Sequence, residues 1–177
     1  SLLRHDPDVI LVGEMRDEET VQISLSAALT GHMVLTTVHT NSAAGAIPRL
    51  LDMGAEPYVL ASSIELVVAQ RLVRVLCKQC RQPVDVPAEV RERYGLGDAD
   101  IHRARGCSAC RDTGYRGRIG VFEVLPINAA IEDAIFKSRS AEEIRRLSDR
   151  PTLLQDGLRK VVAGVTSLEE VLKVAGA

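Results

Sequence analysis

Four apolar residues in succession, Val9, Ile10, Leu11 and Val12, stand between Asp6-Pro7-Asp8 and Gly13-Glu14. A continuous apolar run of that length between turn-forming residues predicts a strand buried on both faces, as in a parallel sheet. The period then changes. Asp17 is placed to cap a helix whose first turn carries Glu18 and Glu19, where negative charge suits the helix dipole. Val21, Leu25 and Leu29 recur at i, i+4 and i+8, and Gly31 falls where a left-handed C′ residue would end the helix. Met33 to Val38 predicts a second buried strand. Ser42 is placed to cap the next helix, which runs toward Met53-Gly54, and Pro48 inside it should kink that helix or delay its start. A further helix is expected over roughly Val59 to Val68. Strand, helix, strand, helix is the alternation of an α/β fold.

Composition changes after Leu76. Residues 77–118 are rich in Arg, Gly, Pro and Cys, which predicts a small metal-organised module with a short helix at Ala88–Tyr94. Ile119 to Leu125 reads as a strand leaving the module, and the remainder reads as helical. Ser140-Ala-Glu-Glu143 and Ser167-Leu-Glu-Glu170 both fit the capping box. Leu153, Leu154, Leu158, Val161 and Val162 predict an apolar helix face.

The chain has 177 residues, enough for one domain, or one domain and a small module. Hydrophobic residues make up 46 %, aromatics only 3 % with no Trp, so aliphatic side chains must fill the core. A formal net charge of -2 gives no basis for binding a polyanion, and nucleic acid is not expected as a partner. No stretch reaches the ~18 apolar residues of a membrane span, and the first residues do not read as a signal peptide. The chain opens without Met and goes almost at once into an apolar strand, which suggests a piece of something longer.

Candidate chemistry sharpens the picture in three places. All four cysteines fall in two C-x2-C pairs, Cys77 and Cys80, then Cys107 and Cys110. Two such pairs suit a tetrahedral zinc site, and four protein thiolates would leave no open position for a substrate, so the zinc would be structural. Without metal the pairs would be reactive dithiols or, in an oxidised protein, two disulfides. Glu14 follows the first strand, where ligands of doubly wound folds sit, and a carboxylate there could hold Mg2+ through water or orient the water that attacks a phosphate. His39 follows the second strand among Thr36, Thr37 and Thr40, and could donate to a phosphate oxygen. On pattern alone the ordinary readings are a solvated loop for Glu14 and a backbone-satisfied imidazole for His39. Two polar strand ends on neighbouring strands raise the odds of a site.

Residues 3–17, Leu-Arg-His-Asp-Pro-Asp-Val-Ile-Leu-Val-Gly-Glu-Met-Arg-Asp, resemble the Walker B region of the secretion ATPases, the family shared by type II secretion and type IV pilus assembly. Residues 30–41, Thr-Gly-His-Met-Val-Leu-Thr-Thr-Val-His-Thr-Asn, resemble that family's His box. Residues 69–77, Ala-Gln-Arg-Leu-Val-Arg-Val-Leu-Cys, resemble the lead into its tetracysteine module, and residues 114–123 and 164–172 resemble its carboxyl-terminal tail. The resemblance implies a RecA-like P-loop NTPase core, of which residues 1–76 would be the second half, followed by a zinc module at 77–118 and a strand plus helical region at 119–177.

It also implies roles. Glu14 would be the Walker B acid, His39 would sense the γ-phosphate, and Arg71 would lie near the nucleotide, with ATP, Mg2+ and Zn2+ as cofactors. Arg16 and Asp17 would order the loop. The four cysteines would be zinc ligands, which fits an assembly or secretion motor and not the retraction motors, which lack that module. The whole would be a hexameric cytoplasmic ATPase, peripheral to the inner membrane and pushing on a platform protein there. No G-x-x-x-x-G-K-[ST] occurs in the chain, so the chain alone is expected not to hydrolyse ATP, and its unpaired half-sheet is expected to favour self-association. The competing class is a non-enzymatic zinc ribbon binding protein or nucleic acid, supported by Arg103, Arg105, Arg111, Arg116 and Arg118. Against it, Tyr115 is the lone aromatic in that stretch and the residues before Cys77 are left unexplained.

Overall fold

A computed structural model of the chain describes residues 7–175. Residues 1–6, of which 3–6 open the string likened to Walker B, and residues 176–177 lie outside the described residues. The described residues form two compact units, one from within 1–69 and 124–150, the other from within 70–123 and 151–177.

In the first unit, β1 (Val9–Val12) pairs in parallel with β2 (Met33–Thr36), Val9 opposite Met33 and Val12 opposite Thr36, with α1 (Glu18–Leu29) as the crossover. Asp17 caps α1 as expected, its carboxylate accepting the Thr20 N–H at 2.8 Å. Gly31 follows the helix at φ 96°, a backbone conformation that favours glycine. The strands differ from expectation. Val9, Leu11, Met33 and Leu35 are 57 %, 76 %, 60 % and 50 % exposed, so one face of the pair stays open among the described residues. The apolar run predicts burial on both faces; here it alternates, because covering a parallel pair needs layers on both sides. β2 also stops at Thr36, where the Thr37 carbonyl turns to accept the Met15 N–H at 3.0 Å.

α2 (Ala46–Asp52) begins late. Pro48 sits in its first turn, where an N–H has no intrahelical partner to lose. Ser42 does not cap this helix: its Oγ accepts the Gly45 N–H at 3.1 Å, one turn ahead of it. α3 (Pro57–Ser63) starts on Pro57 and ends before Leu66, so the helix expected over 59–68 is two elements. Leu66, Val67 and Val68 open β3 (Leu66–Leu76) instead, in keeping with the strand preference of β-branched residues. Later in the chain, α5 (Ala129–Phe136) packs on α3, and α6 (Ala141–Arg146) on α2 and α5. Asn128 caps α5, and the Ser140–Glu143 capping box closes at the start of α6. Val21, Ile47, Leu60, Ile131, Ile135 and Ile144 form the buried interior.

β3 pairs with β6 (Tyr115–Pro126), which starts four residues before the expected Ile119. The second unit adds β4 (Gln82–Pro83), antiparallel to β5 (His102–Arg103), and α4 (Ala88–Tyr94), the short helix expected within the module. It closes with α7 (Leu153–Val162) and α8 (Leu168–Ala175). α7 carries a further capping box, Thr152 with Gln155. It buries Leu153, Gly157 and Val161, whereas Leu154 and Leu158 are half-buried and Val162 is exposed. A Cβ on Gly157 would lie 2.5 Å from Val171 Cγ1, so the bare backbone lets the two helices close. Of the box expected at Ser167, half is present: Ser167 Oγ accepts the Glu170 N–H at 3.3 Å, but the Glu170 carboxylate turns to Arg74.

Candidate functional site

Because β1 and β2 are parallel and in register, their carboxyl ends open on one edge. The loops beyond them are tied together. Thr37 Oγ1 donates to the Gly13 carbonyl at 2.7 Å, and the Met15 N–H donates to Thr37 O. This delivers Glu14 and His39 to one place. Glu14 Oε1 stands 2.7 Å from His39 Nε2, and its Oε2 stands 2.5 Å from Arg16 Nη2. The Glu14 side chain is 19 % exposed, the His39 side chain 87 %. Glu14 is held below the usual carboxylate range, first by the Arg16 hydrogen bond, with the Arg16 and His39 charges adding and burial opposing. The result is an ionised, partly sheltered carboxylate beside an open imidazole. Such a pair can hold a hydrated cation or orient a water, and can donate a hydrogen bond to an anion. Asp17 is spent on its N-cap, and the Thr20 N–H holds its carboxyl low. Arg71 lies on β3 within the second unit, where its Nη1 donates to the Gln70 carbonyl at 2.9 Å.

The four cysteines converge in the second unit. Their Sγ atoms all lie within 4.8 Å of one another. Cys77 and Cys107 are 4.0 Å apart, Cys80 and Cys110 3.8 Å, Cys107 and Cys110 3.7 Å. Disulfide sulfurs lie ~2.05 Å apart, so these are free thiols. Sulfurs around a tetrahedral zinc, each ~2.3 Å from it, stand ~3.8 Å apart, and the donor set fits that ion.

Local sequence explains the two knuckles. The Cys80 and Arg81 N–H groups fold back on the Cys77 carbonyl at 3.2 and 2.9 Å, and the Cys110 N–H folds back on the Cys107 carbonyl at 3.1 Å. After the second pair, Arg111 and Asp112 take positive φ, and Gly114 follows at φ 74°. A Cβ on Gly114 would lie 2.5 Å from Ala104 Cβ. The Gly114 peptide serves both knuckles: its N–H donates to Cys110 Sγ at 3.2 Å, and its carbonyl accepts the Cys77 N–H at 2.9 Å. Burial pushes the Cys80 thiol up to about 11. At Cys110 burial acts the same way but is outweighed by the Cys107 and Gly114 N–H donors, and the thiol falls to about 6. Donors aimed at sulfur favour the thiolate, the form in which cysteine binds metal.

A polar cluster beside the cysteines was not legible in the sequence. Arg74 Nε and Nη2 both reach Glu170 Oε2 at 2.5 Å, and the guanidinium lies 4.1 Å above the Tyr115 ring. The Tyr115 hydroxyl is 2.8 Å from Ser167 Oγ. The members of this cluster each stood in a segment singled out in the sequence, Ser167 and Glu170 as a capping box, but nothing there joined them to one another. Arg103, Arg105, Arg111, Arg116 and Arg118 are all exposed. Among the described residues no helix is long and apolar enough to cross a membrane.

A family model described as "Type II/IV secretion system protein" matches residues 1–173. The type II secretion system protein E of Pectobacterium carotovorum subsp. carotovorum is 50 % identical over 177 residues, covering 98 % of this chain and 36 % of that protein. The type IV pilus assembly ATPase PilB of Thermus thermophilus is 46 % identical over 180 residues, covering 97 % of this chain and 20 % of its own length. Among solved structures, the pilus retraction motor PilT with bound ADP superposes with a TM-score of 0.71 at 28 % identity, covering 99 % of this chain and 42 % of that one. The ATPase DotB of Legionella pneumophila gives 0.67 at 25 %, covering 99 % and 41 %. The chain spans about a third of the length of the type II secretion relatives it matches. Its mixed α/β fold is that of part of these P-loop ATPases.

Proposed function

The chain belongs to the type II/IV secretion system protein family, and from that premise we propose that it is part of a hexameric motor ATPase that hydrolyses ATP to drive type II secretion or type IV pilus assembly. The observation that carries this reading is the ionised Glu14 carboxylate 2.7 Å from His39, both at the carboxyl ends of paired parallel strands. Glu14 would hold Mg2+ through water or orient the attacking water, and His39 would donate to the γ-phosphate. Mg2+, when bound, supplies charge neutralisation on the phosphates. Arg16 keeps Glu14 ionised and aimed. Arg71 is assigned to the nucleotide's neighbourhood on family resemblance.

The four cysteines would hold one structural zinc in the second unit, as the core of the metal module proposed at 77–118. That tetracysteine set, with relatives named for secretion and pilus assembly at 46–50 % identity, favours the assembly and secretion branch over retraction. The motor would work in the cytoplasm against an inner-membrane platform protein, with no nucleic acid partner. Residues 1–76 would supply the second half of the ATPase core, so the 177-residue chain alone would not hydrolyse ATP: its sequence carries no phosphate-cradling loop. The test is phosphate release by the longer protein carrying Glu14→Gln. Loss of hydrolysis with unchanged zinc content supports the reading, and wild-type turnover overturns it.

A further inference from the structure

The turn between α7 and α8, residues 164–167, meets the chain only a few residues from each cysteine pair. Leu76, which precedes Cys77, donates its N–H to the Val165 carbonyl at 2.9 Å. Arg81, which follows Cys80, donates Nη1 to the Gly164 carbonyl at 2.6 Å. Thr166 Oγ1 donates to the Arg74 carbonyl at 2.8 Å. On the other side, Tyr115 follows Gly114, the residue whose peptide joins the two knuckles, and its hydroxyl reaches Ser167. The first residues of α8 complete the arrangement through Glu170 and Arg74. Thr166, Ser167 and Glu170 are all buried. Polar groups buried together in this way are costly to separate, because each left without its partner stays desolvated.

We infer that the α7–α8 turn is a brace for the cysteine cluster, so that metal binding and the docking of α8 stabilise each other, with Arg74 and Glu170 as positioning residues. The inference rests on the cysteines being metal ligands. Neither Arg74 nor Glu170 belongs to the four-cysteine set; they hold the segment that leads into Cys77. Metal that binds only the folded cluster must also favour whatever the cluster requires, and by linkage the reverse holds. The outer partners of metal ligands are known to change affinity by ~10–100-fold when lost, and these residues stand one step further out, so a smaller change is expected.

The test uses the full chain. Amide exchange is followed with zinc bound and after chelator stripping, beside zinc affinity by competition with a chromogenic chelator and a free-thiol count. On stripping, amides of Leu168–Ala175 are expected to exchange at least ~10-fold faster while those of Ala129–Phe136 in the other unit hold their rates. Glu170→Gln is expected to weaken zinc binding ~5-fold, and Tyr115→Phe, which removes one hydroxyl and keeps the ring under Arg74, to weaken it less in the same direction. Zinc bound by four protected thiols with α8 indifferent to it, or with both variants at wild-type affinity, overturns the brace and leaves the metal reading standing. Loosening of α5 to the same degree as α8 overturns it as well. Failure to bind zinc with all four thiols free overturns the metal reading and the brace together.

Discussion

Glu14 and His39 arrive from different strands and meet at 2.7 Å because the backbone of one loop is pinned to the other through Thr37. The pair is thus a product of strand register. In the longer protein, Glu14→Gln keeps the size and a hydrogen-bonding oxygen but removes the charge. ATP hydrolysis should fall ~10²–10⁴-fold if Glu14 handles the attacking water, with zinc content unchanged. Steady-state phosphate release checks it.

Gly114 is the position where a single methyl should do most harm to the metal module. At φ 74° an alanine is strained, and its Cβ would lie 2.5 Å from Ala104. Gly114→Ala should therefore displace the peptide that donates to Cys110 Sγ and accepts from Cys77. Zinc stoichiometry should drop below one per chain, measured by elemental analysis.

Gly157→Ala separates two effects of opposite sign. Alanine favours the helix by ~1 kcal/mol, but the added Cβ would press on Val171 at 2.5 Å, and overpacking typically costs ~1–3 kcal/mol. A net loss of stability is expected, read as a lower denaturation midpoint at constant slope in the zinc-loaded chain. An unchanged midpoint would show that α8 can shift to make room.

Acid should loosen α6. Hydrogen bonds from Arg145 and then Arg146 hold Glu142 down to about 2, whereas an unfolded glutamate titrates near ~4.3. Its contribution is therefore complete above ~4.3 and is lost as pH falls through about 2. Glu143, held low first by the Ser140 hydroxyl and then by its N–H, moves the same way. Protection factors of α6 amides should decline across that window, and Glu142→Gln should flatten the decline. Ser140→Ala, which breaks the capping box, should cost ~1 kcal/mol at neutral pH.

Local signals in the sequence were faithful where one residue type has one physical job. Asp17 caps α1, Gly31 ends it, and α4 spans Ala88–Tyr94, as the pattern indicates. The cysteine spacing foretold the cluster because a C-x2-C turn can point both sulfurs one way. The failures share a cause in long-range packing. Val59 to Val68 is apolar at positions that suit either period, and only pairing with β6 settles that Leu66 begins a strand. Val9–Val12 has the composition of a doubly covered strand, but covering is supplied by other elements and cannot be read from the run itself. Glu170 was assigned to a local cap, yet its carboxylate goes to a guanidinium 96 residues away.

That separation sets a timetable. On a ribosome, the β1–α1–β2 piece of the first unit can pair once Thr36 has emerged, whereas Arg74 must wait until Glu170, 96 residues further on, appears. Closing so long a loop is slow compared with local pairing. The second unit is therefore finished last. Until then the thiols, all present once Cys110 is out, lack the α7–α8 turn that meets the chain beside each pair.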